Sequence, residues 1–391
     1  MLNNINFSKI QSFVSVLNNI SDFRKPNHLL KHKLGNVLLI MILAIMSNYT
    51  SQRGMEEFSR NNAEVLKENL NITKLPTKSL FNRVCNNLDY VKFWLSLKEW
   101  LENTLKTNNI VPSIIAIDGK ILQGTIDNLT HNTPNQNMIS IVSAYEHNLG
   151  LVLHQADMEG KKISETVVFR NMIKDLKEKV KDREITITGD ALHSSQVTVK
   201  LFQELKLNYV LGVKGNNKLL REQLQEKTIF KEKYTYCDKR FKREVLIFKV
   251  PIDFKVLKIY SKTKTKTAIK YEAWQYLNFK TFIQVTRTNF KTQKIQNGFY
   301  ISNMEETVLK FAEIIQGHWS IENKLHWQKD VVFKEDSHKT KNHNSAKVFS
   351  ILITATINLF RLNGYQSMQK ATRKYCNRVA DCLRLLEFDK V

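Results

Sequence analysis

Hydrophobic spacing divides the chain into an all-helical stretch, an alternating strand-and-helix stretch, a run of short basic strands, and a return to helices. Up to about residue 105 the apolar residues recur at helical spacing. "SDFRKPNHLLKHKLGNVLLIMILAIMSNY" predicts a polar entry followed by a buried helix. "SQRGMEEFSRNNAEVLKENL" is amphipathic, and "TKSLFNRVCNNLDYVKFWLSLKEWLENTL" continues in helix. From Ile110 the period shortens. "PSIIAIDGKIL" predicts a strand ending in the turn dipeptide Asp118-Gly119. "NMISIVSAYEH" and "LGLVLHQADM" follow as strands joined at "HNLG". Then come a helix with Ser164 as N-cap, the strand "REITITGD", the helix "SSQVTVKLFQELK" and the strand "NYVLGVKGNN". Three sequential strands make a meander, and helical crossovers return the later ones, so a mixed sheet covered by helices is expected.

From Asn216 to Gln296 one helix, "NKLLREQLQEK", precedes strands rich in Lys and Arg: "KREVLIFKVP", "KVLKIYSKT", "YEAWQYL" and "TFIQVTRTNF". "GFYISN" rejoins the core. "EETVLKFAEIIQGHWSIENKLHWQKDVVF" predicts one long helix, "AKVFSILITATINLFRLNG" a buried helix stopped by Gly364, and "ATRKYCNRVADCLRLLEF" a basic terminal helix. The expected organisation is a helical region over 1–108 and a mixed-sheet domain over 109–215 and 297–364. A basic β-rich insertion fills 216–296, and a basic tail runs over 365–391.

Charge narrows the partner. Sixty Lys and Arg face 37 Asp and Glu, a net charge of +23 with a pI near 9.7. Such a field draws polyanions. An AT-rich coding sequence also inflates Lys over Arg, but does not by itself produce a positive excess of this size. The four cysteines have no CxxC spacing, which argues against a zinc ribbon or a disulfide framework and favours a reducing compartment. The apolar run Val37 to Met46 rises only about 15 Å as helix, half of a ~30 Å bilayer core. A cytoplasmic, nucleoid-associated protein without a membrane role is expected.

Two strands end in carboxylates, Asp118 and Asp190. A strand end facing a crevice is a rigid mount for a ligand group. Each alone reads more readily as a turn residue. On the late helix, at ~100° per residue, Ile314, Ile321, Leu325 and Val332 make an apolar stripe, and His318, Glu322, His326 and Lys329 line its flank. Glu322 alone reads equally as a solvated helix position paired with His326, with Trp319 and Trp327 as core. Together the three acids suit hard divalent cations, which take oxygen ligands and, in pairs, promote phosphodiester chemistry.

These motifs resemble the DDE transposases of bacterial insertion sequences, in the group that includes the H-repeat-associated proteins. "SDFRKPNHLLKHKLGNVLLIMILAIMSNYTSQRGMEEFSR" with "PTKSLFNRV" resembles the group's N-terminal region. "IIAIDGKILQGT", "ITITGDALHSSQ" and "GHWSIENKLHWQKDVVFKED" resemble its three catalytic segments. The resemblance implies a ribonuclease-H-like fold and a catalytic, metal-binding triad of Asp118, Asp190 and Glu322. It further implies two Mg²⁺ ions (with Mn²⁺ able to substitute), double-stranded DNA as element ends and target, and a homo-oligomer on DNA. Lys120, His318, Asn323, His326 and Lys329 are the expected DNA-binding or supporting residues. Glu335 and Asp336 stand in reserve for the third acid. Two departures are visible: Gln316 where the group usually carries Arg, and "TGDA" where it usually reads like "TIDA". A metal-dependent nuclease without strand transfer, and an inactive remnant that only binds DNA, remain alternatives.

Overall fold

The computed structural model describes residues 12–25, 30–125, 139–158, 165–180, 183–252, 254, 257–263, 266–271 and 279–386. Six helices open the chain: α1 (Phe13–Asn18), α2 (Leu34–Met46), α3 (Gln52–Asn61), α4 (Ala63–Leu70), α5 (Lys78–Asn87) and α6 (Tyr90–Thr107). Strands β1 (Ile114–Ile121), β2 (Ser140–Glu146) and β3 (Val152–Met158) follow, then α7 (Glu165–Val180), β4 (Thr186–Gly189), α8 (Gln196–Glu204), β5 (Asn208–Val213) and α9 (Lys218–Lys227). Next come β6 (Ile229–Cys237), β7 (Phe241–Lys249), β8 (Leu257–Thr263), β9 (Lys266–Tyr271), β10 (Thr281–Asn289) and β11 (Ile295–Ser302). The chain ends in α10 (Val308–His318), two π-helical turns (Glu322–His326 and Gln328–Val332), α11 (His343–Leu362), α12 (Met368–Tyr375) and α13 (Val379–Leu385). The whole is a mixed α+β protein whose sheet strands are flanked by helices.

Two compact units share the chain. The first comprises Met1–Pro112, Gly119–Ser164 and Glu322–Val391; the second comprises Ser113–Asp118 and Glu165–Ile321. In the first, α2 is apolar on every side, and every residue but Asn36 is buried. Helix α11 packs with it and is buried from Ser345 to Leu362 except at Lys347. By length and composition α11 is the one helix among the described residues that could cross a membrane, yet 94% of its most apolar window is buried inside the protein. Its polar side chains have internal work. Strands β2 and β3 pair antiparallel, but the register slips so that Tyr145 lies opposite Val152 and Leu153 bulges. Asn358 of α11 meets both backbone groups there: its Oδ1 accepts from Val152 N at 2.9 Å and its Nδ2 donates to Val152 O at 3.0 Å.

In the second unit the strand order is β1-β4-β5-β11-β10-β7-β6. The first two neighbouring pairs, β1 with β4 and β4 with β5, are parallel, and those from β5 outward are antiparallel. Alternation along β5 sorts the two faces. Val210 joins Ile247, Ile283 and the α10 residues Phe311, Ile314 and Ile315 in one core cluster. Its neighbour Tyr209 faces the other way, with its ring 5.0 Å from that of Phe202 on α8. Full burial of each of these side chains contributes about 1.5–3 kcal/mol.

Several expectations needed correction. Asp118-Gly119 is not a turn: β1 runs through both residues to Ile121. The long helix expected over Glu305 to Phe333 breaks after His318 into wider π turns. The basic tail is two helices separated at Asn377, which adopts a left-handed φ of 55°. Strands β6 and β9 were not anticipated. Trp319 and Trp327 are not core, being 52% and 49% exposed. The Ser164 cap, and the "YEAWQYL" strand beyond Tyr271, lie outside the described residues.

Replacing Asn358 with Leu strands the Val152 amide and carbonyl without partners. The expected loss is about 2–3 kcal/mol, seen as a lower midpoint in thermal or urea unfolding; an unchanged midpoint contradicts this role for Asn358.

Candidate active site

Two short parallel strands set the first pair of acids. Strand β1 pairs with β4 so that Ala116 lies level with Thr188. Continued two residues past its last pair, that register sets Asp118, inside β1, level with Asp190, the residue after β4. The alternation that turns Ile114 toward the α10 core cluster turns Ala116 and Asp118 to that same face. Asp118 is half-buried. Asp190 caps the short 3₁₀ turn Ala191–His193, its Oδ1 accepting from Leu192 N at 2.8 Å, and its side chain is 41% exposed.

The surroundings of Asp190 are built around His193. This ring is fully buried and stacked on Phe169 of α7 at 3.9 Å between centroids. Its Nε2 lies 3.2 Å from Glu165 Oε1 and 3.8 Å from Asp190 Oδ1. Phe169 also accounts for the "TGDA" departure: a Cβ on Gly189 would come within 3.1 Å of the Phe169 ring and of Leu211 Cδ2. The glycine leaves room for that stack. His318, in the last turn of α10, shares a 2.8 Å hydrogen bond through Nδ1 with Thr188 Oγ1. Gln316, the other departure, is exposed on α10.

The first unit holds the remaining candidates. Glu322 opens a π turn with its side chain 57% exposed, and its Oε2 is 3.7 Å from Nδ1 of the buried His326. Asn323 beside it is exposed. Wide π turns recur at functional sites because they re-aim side chains that a regular helix would space evenly.

Lys120 and Lys329 lie in a buried charge network that the sequence did not reveal. Lys120 Nζ lies 2.7 Å from Asp330 Oδ1, 2.8 Å from Asp336 Oδ1 and 3.2 Å from Glu335 Oε2. Lys329 Nζ lies 3.3 Å from Glu335 Oε1 and donates to Ser350 Oγ of α11 at 2.9 Å. Glu335 and Asp336, the reserve acids, are thus both engaged by lysines. Asp336 Oδ1 also accepts from Gln123 N at 3.1 Å. Gly124 makes this close approach feasible, since a Cβ there would fall 2.1 Å from the His338 carbonyl oxygen. The available sequence signal was the acidic "KEDS" directly after the buried Val332 and Phe333.

Burial alone would raise the Glu335 carboxyl; the ammonium groups of Lys329 and Lys120 overcome it and hold the group at about 2. Burial also pulls Lys329 below the usual lysine range, with Glu335 opposing. Burial would likewise depress Lys120, but Glu335, Asp330 and Asp336 outweigh it and raise the group. A carboxyl held below its ordinary 4.5 contributes stability that is present above that value and lost as pH falls toward 2. The midpoint of unfolding should therefore drop between about pH 5 and pH 2 more steeply in the wild type than in Glu335→Gln. At neutral pH that variant should lose roughly 3–5 kcal/mol, because two buried ammonium groups lose their shared partner. Parallel melting curves across the range contradict the assignment.

A family model described as "Transposase DDE domain" matches residues 110–359, and one described as "DDE_Tnp_1-associated" matches residues 14–101. Among curated relatives, the chain is 27% identical over 365 residues to "Putative protein YbfL" of Escherichia coli (strain K12), covering 90% of each. It is equally identical, over the same length and coverage, to "H repeat-associated putative transposase YhhI" of the same strain. Among solved structures, a piggyBac transposase synaptic complex with hairpin DNA aligns with a TM-score of 0.47 and 14% identity, covering 98% of this chain and 80% of that one. That score is too low to bear on fold or function. The first family match takes in Asp118, Asp190 and Glu322 in a single span and covers well over half the protein; the chain belongs to the DDE transposase family.

Proposed function

We propose that this protein cuts DNA at the ends of its own insertion element and joins the freed ends to target DNA, with Asp118, Asp190 and Glu322 as its catalytic carboxylates. The observation that carries the reading is the β1–β4 register, which, continued two residues past its last pair, sets Asp118 in β1 level with Asp190 just after β4. The ring of His318 is bonded to Thr188, two residues before Asp190.

The donors fit hard divalent cations: three carboxylates, none fully buried, offering oxygen ligands on rigid mounts. Asp118, Asp190 and Glu322 would hold two Mg²⁺ ions, with Mn²⁺ as a substitute. When bound, the pair supplies Lewis-acid stabilisation to the attacking and leaving oxygens of an in-line displacement. The chain's own groups do the rest. The Asp190 cap fixes one carboxylate oxygen on Leu192 N and leaves the other to a ligand. His326 steadies Glu322 from the buried side of the π turn. In our reading Lys120 and Lys329 act on the site indirectly, by bracing the π-helical segment against the end of β1. Water attacks the phosphodiester at the element's end, and the resulting 3′-OH attacks the target strand. Two ends must be handled together, so the protein works as a homo-oligomer on DNA, in the cytoplasm at the nucleoid.

The test is strand cleavage and joining on a labelled mini-element. Asp118→Asn, Asp190→Asn and Glu322→Gln should each lower cleavage by about a thousandfold or more, a loss of several kcal/mol, while duplex binding persists. Chelation of Mg²⁺ should stop chemistry and leave binding intact. Cleavage without joining by the wild type points instead to a nuclease. Binding with no Mg²⁺-dependent cleavage points to a remnant.

A further inference from the structure

Far along the sheet from β1, two hairpin tips stand side by side. One connects β6 to β7 and the other β10 to β11. Phe290 N of the second donates to Arg240 O of the first at 2.9 Å. Both turns are fixed internally. Asp238 Oδ1 accepts from Arg240 N and Phe241 N at 2.7 and 2.9 Å, and Asn289 Oδ1 accepts from Lys291 N and Thr292 N at 2.9 Å each.

The charge on this platform is lopsided. Its anions are already engaged: Asp238 is paired with Arg243, and Glu244 is shared by Lys233 and Lys242 at 3.2 and 3.0 Å. Among the described residues, Lys239, Arg240, Arg287, Lys291 and Lys294 have no side-chain ion-pair or hydrogen-bond acceptor. Arg287 is the most telling of these. It lies directly across from Arg243 in the β10–β7 register. Like charges opposite each other on one face destabilise a sheet. Its guanidinium sits 3.5 Å from the centre of the Phe241 ring, and its Nε is buried with nothing to donate to. The ring fixes the guanidinium in place with its donors unused. A preset guanidinium with unused donors, among four further cations, offers a planar fork that pairs with two oxygens of a tetrahedral phosphate.

We propose that this double-hairpin platform is a docking surface for the phosphate backbone of duplex DNA, with Arg287 as its anchor and Arg240, Lys239, Lys291 and Lys294 around it. The inference rests on DNA being the partner in the function proposed above, and names where the duplex is held away from the acids. Cations on strand ends and turns contact phosphates and carry no base-reading element, so the docking is indifferent to sequence.

The test measures binding by the full chain in EDTA, where no cleavage occurs. Labelled duplexes carrying the element's end, or an arbitrary sequence, are compared with a single-stranded RNA. The triple variant Arg287→Gln/Lys291→Gln/Lys294→Gln should bind both duplexes roughly tenfold more weakly, and its log–log salt slope should fall by about 2–3. Arg287→Gln alone removes a like-charge pair, so its unfolding midpoint should hold or rise while its duplex affinity drops. Equal duplex affinity in variant and wild type overturns the proposal. So does a loss confined to the end sequence or to RNA. Weaker binding in the triple variant of a protein whose wild type binds but never cleaves would sink the transposase reading and leave this surface standing.

Discussion

The parallel pairing of β1 with β4 is the constraint on which the rest depends. Parallel strands run the same way, so their register carries Asp118 of β1 and Asp190, just past β4, along together. A register slip of one residue would turn one carboxylate to the opposite face. That register is held from both faces. Alpha-helix 10 covers one side through Phe311 and Ile314, and α7 and α8 cover the other through Phe169 and Phe202. Gly189 and Phe169 belong to the same constraint: the ring occupies the volume a side chain would fill directly before Asp190.

A second, costlier device lies behind the π turns. Four charged side chains, Lys120, Lys329, Asp330 and Asp336, are gathered around the buried Glu335. Buried ion pairs rarely add net stability over apolar packing, because desolvation offsets most of the attraction. They do define geometry, since each partner must be met or the loss is large. The network ties the residue after Gly119 to the segment after Glu322. Its polar chain extends through Ser350 to Gln155 and Thr354, where Thr354 Oγ1 donates to Gln155 Oε1 at 2.7 Å. A segment expected to be a plain helix is thereby held in a wider turn.

Much of this was legible in the residues. Alpha-helix 2 is apolar on all sides and had to be buried, and strands β1 to β5 announced themselves by β-branched runs. The acids at strand ends were visible as well. What stayed hidden is non-local. The π turns share their apolar stripe with a regular helix, so Ile314, Ile321, Leu325 and Val332 are buried in either form. The role of Lys120 could not be read because its partners stand more than two hundred residues away. Strand β6 is nearly all exposed and strongly charged, so it lacks the half-buried alternation that marks a strand. The exposure of Trp319 and Trp327 contradicts the usual link between Trp and core, and the surrounding sequence carries no sign of it.

The central claim is that Asp118, Asp190 and Glu322 share a pair of cations. Anomalous diffraction from crystals of the protein with a cut end duplex and Mn²⁺ tests it most directly. The account predicts two manganese peaks about 3.5–4 Å apart, ligated by oxygens of all three side chains. Manganese bound elsewhere, or a site complete without Glu322, would contradict it.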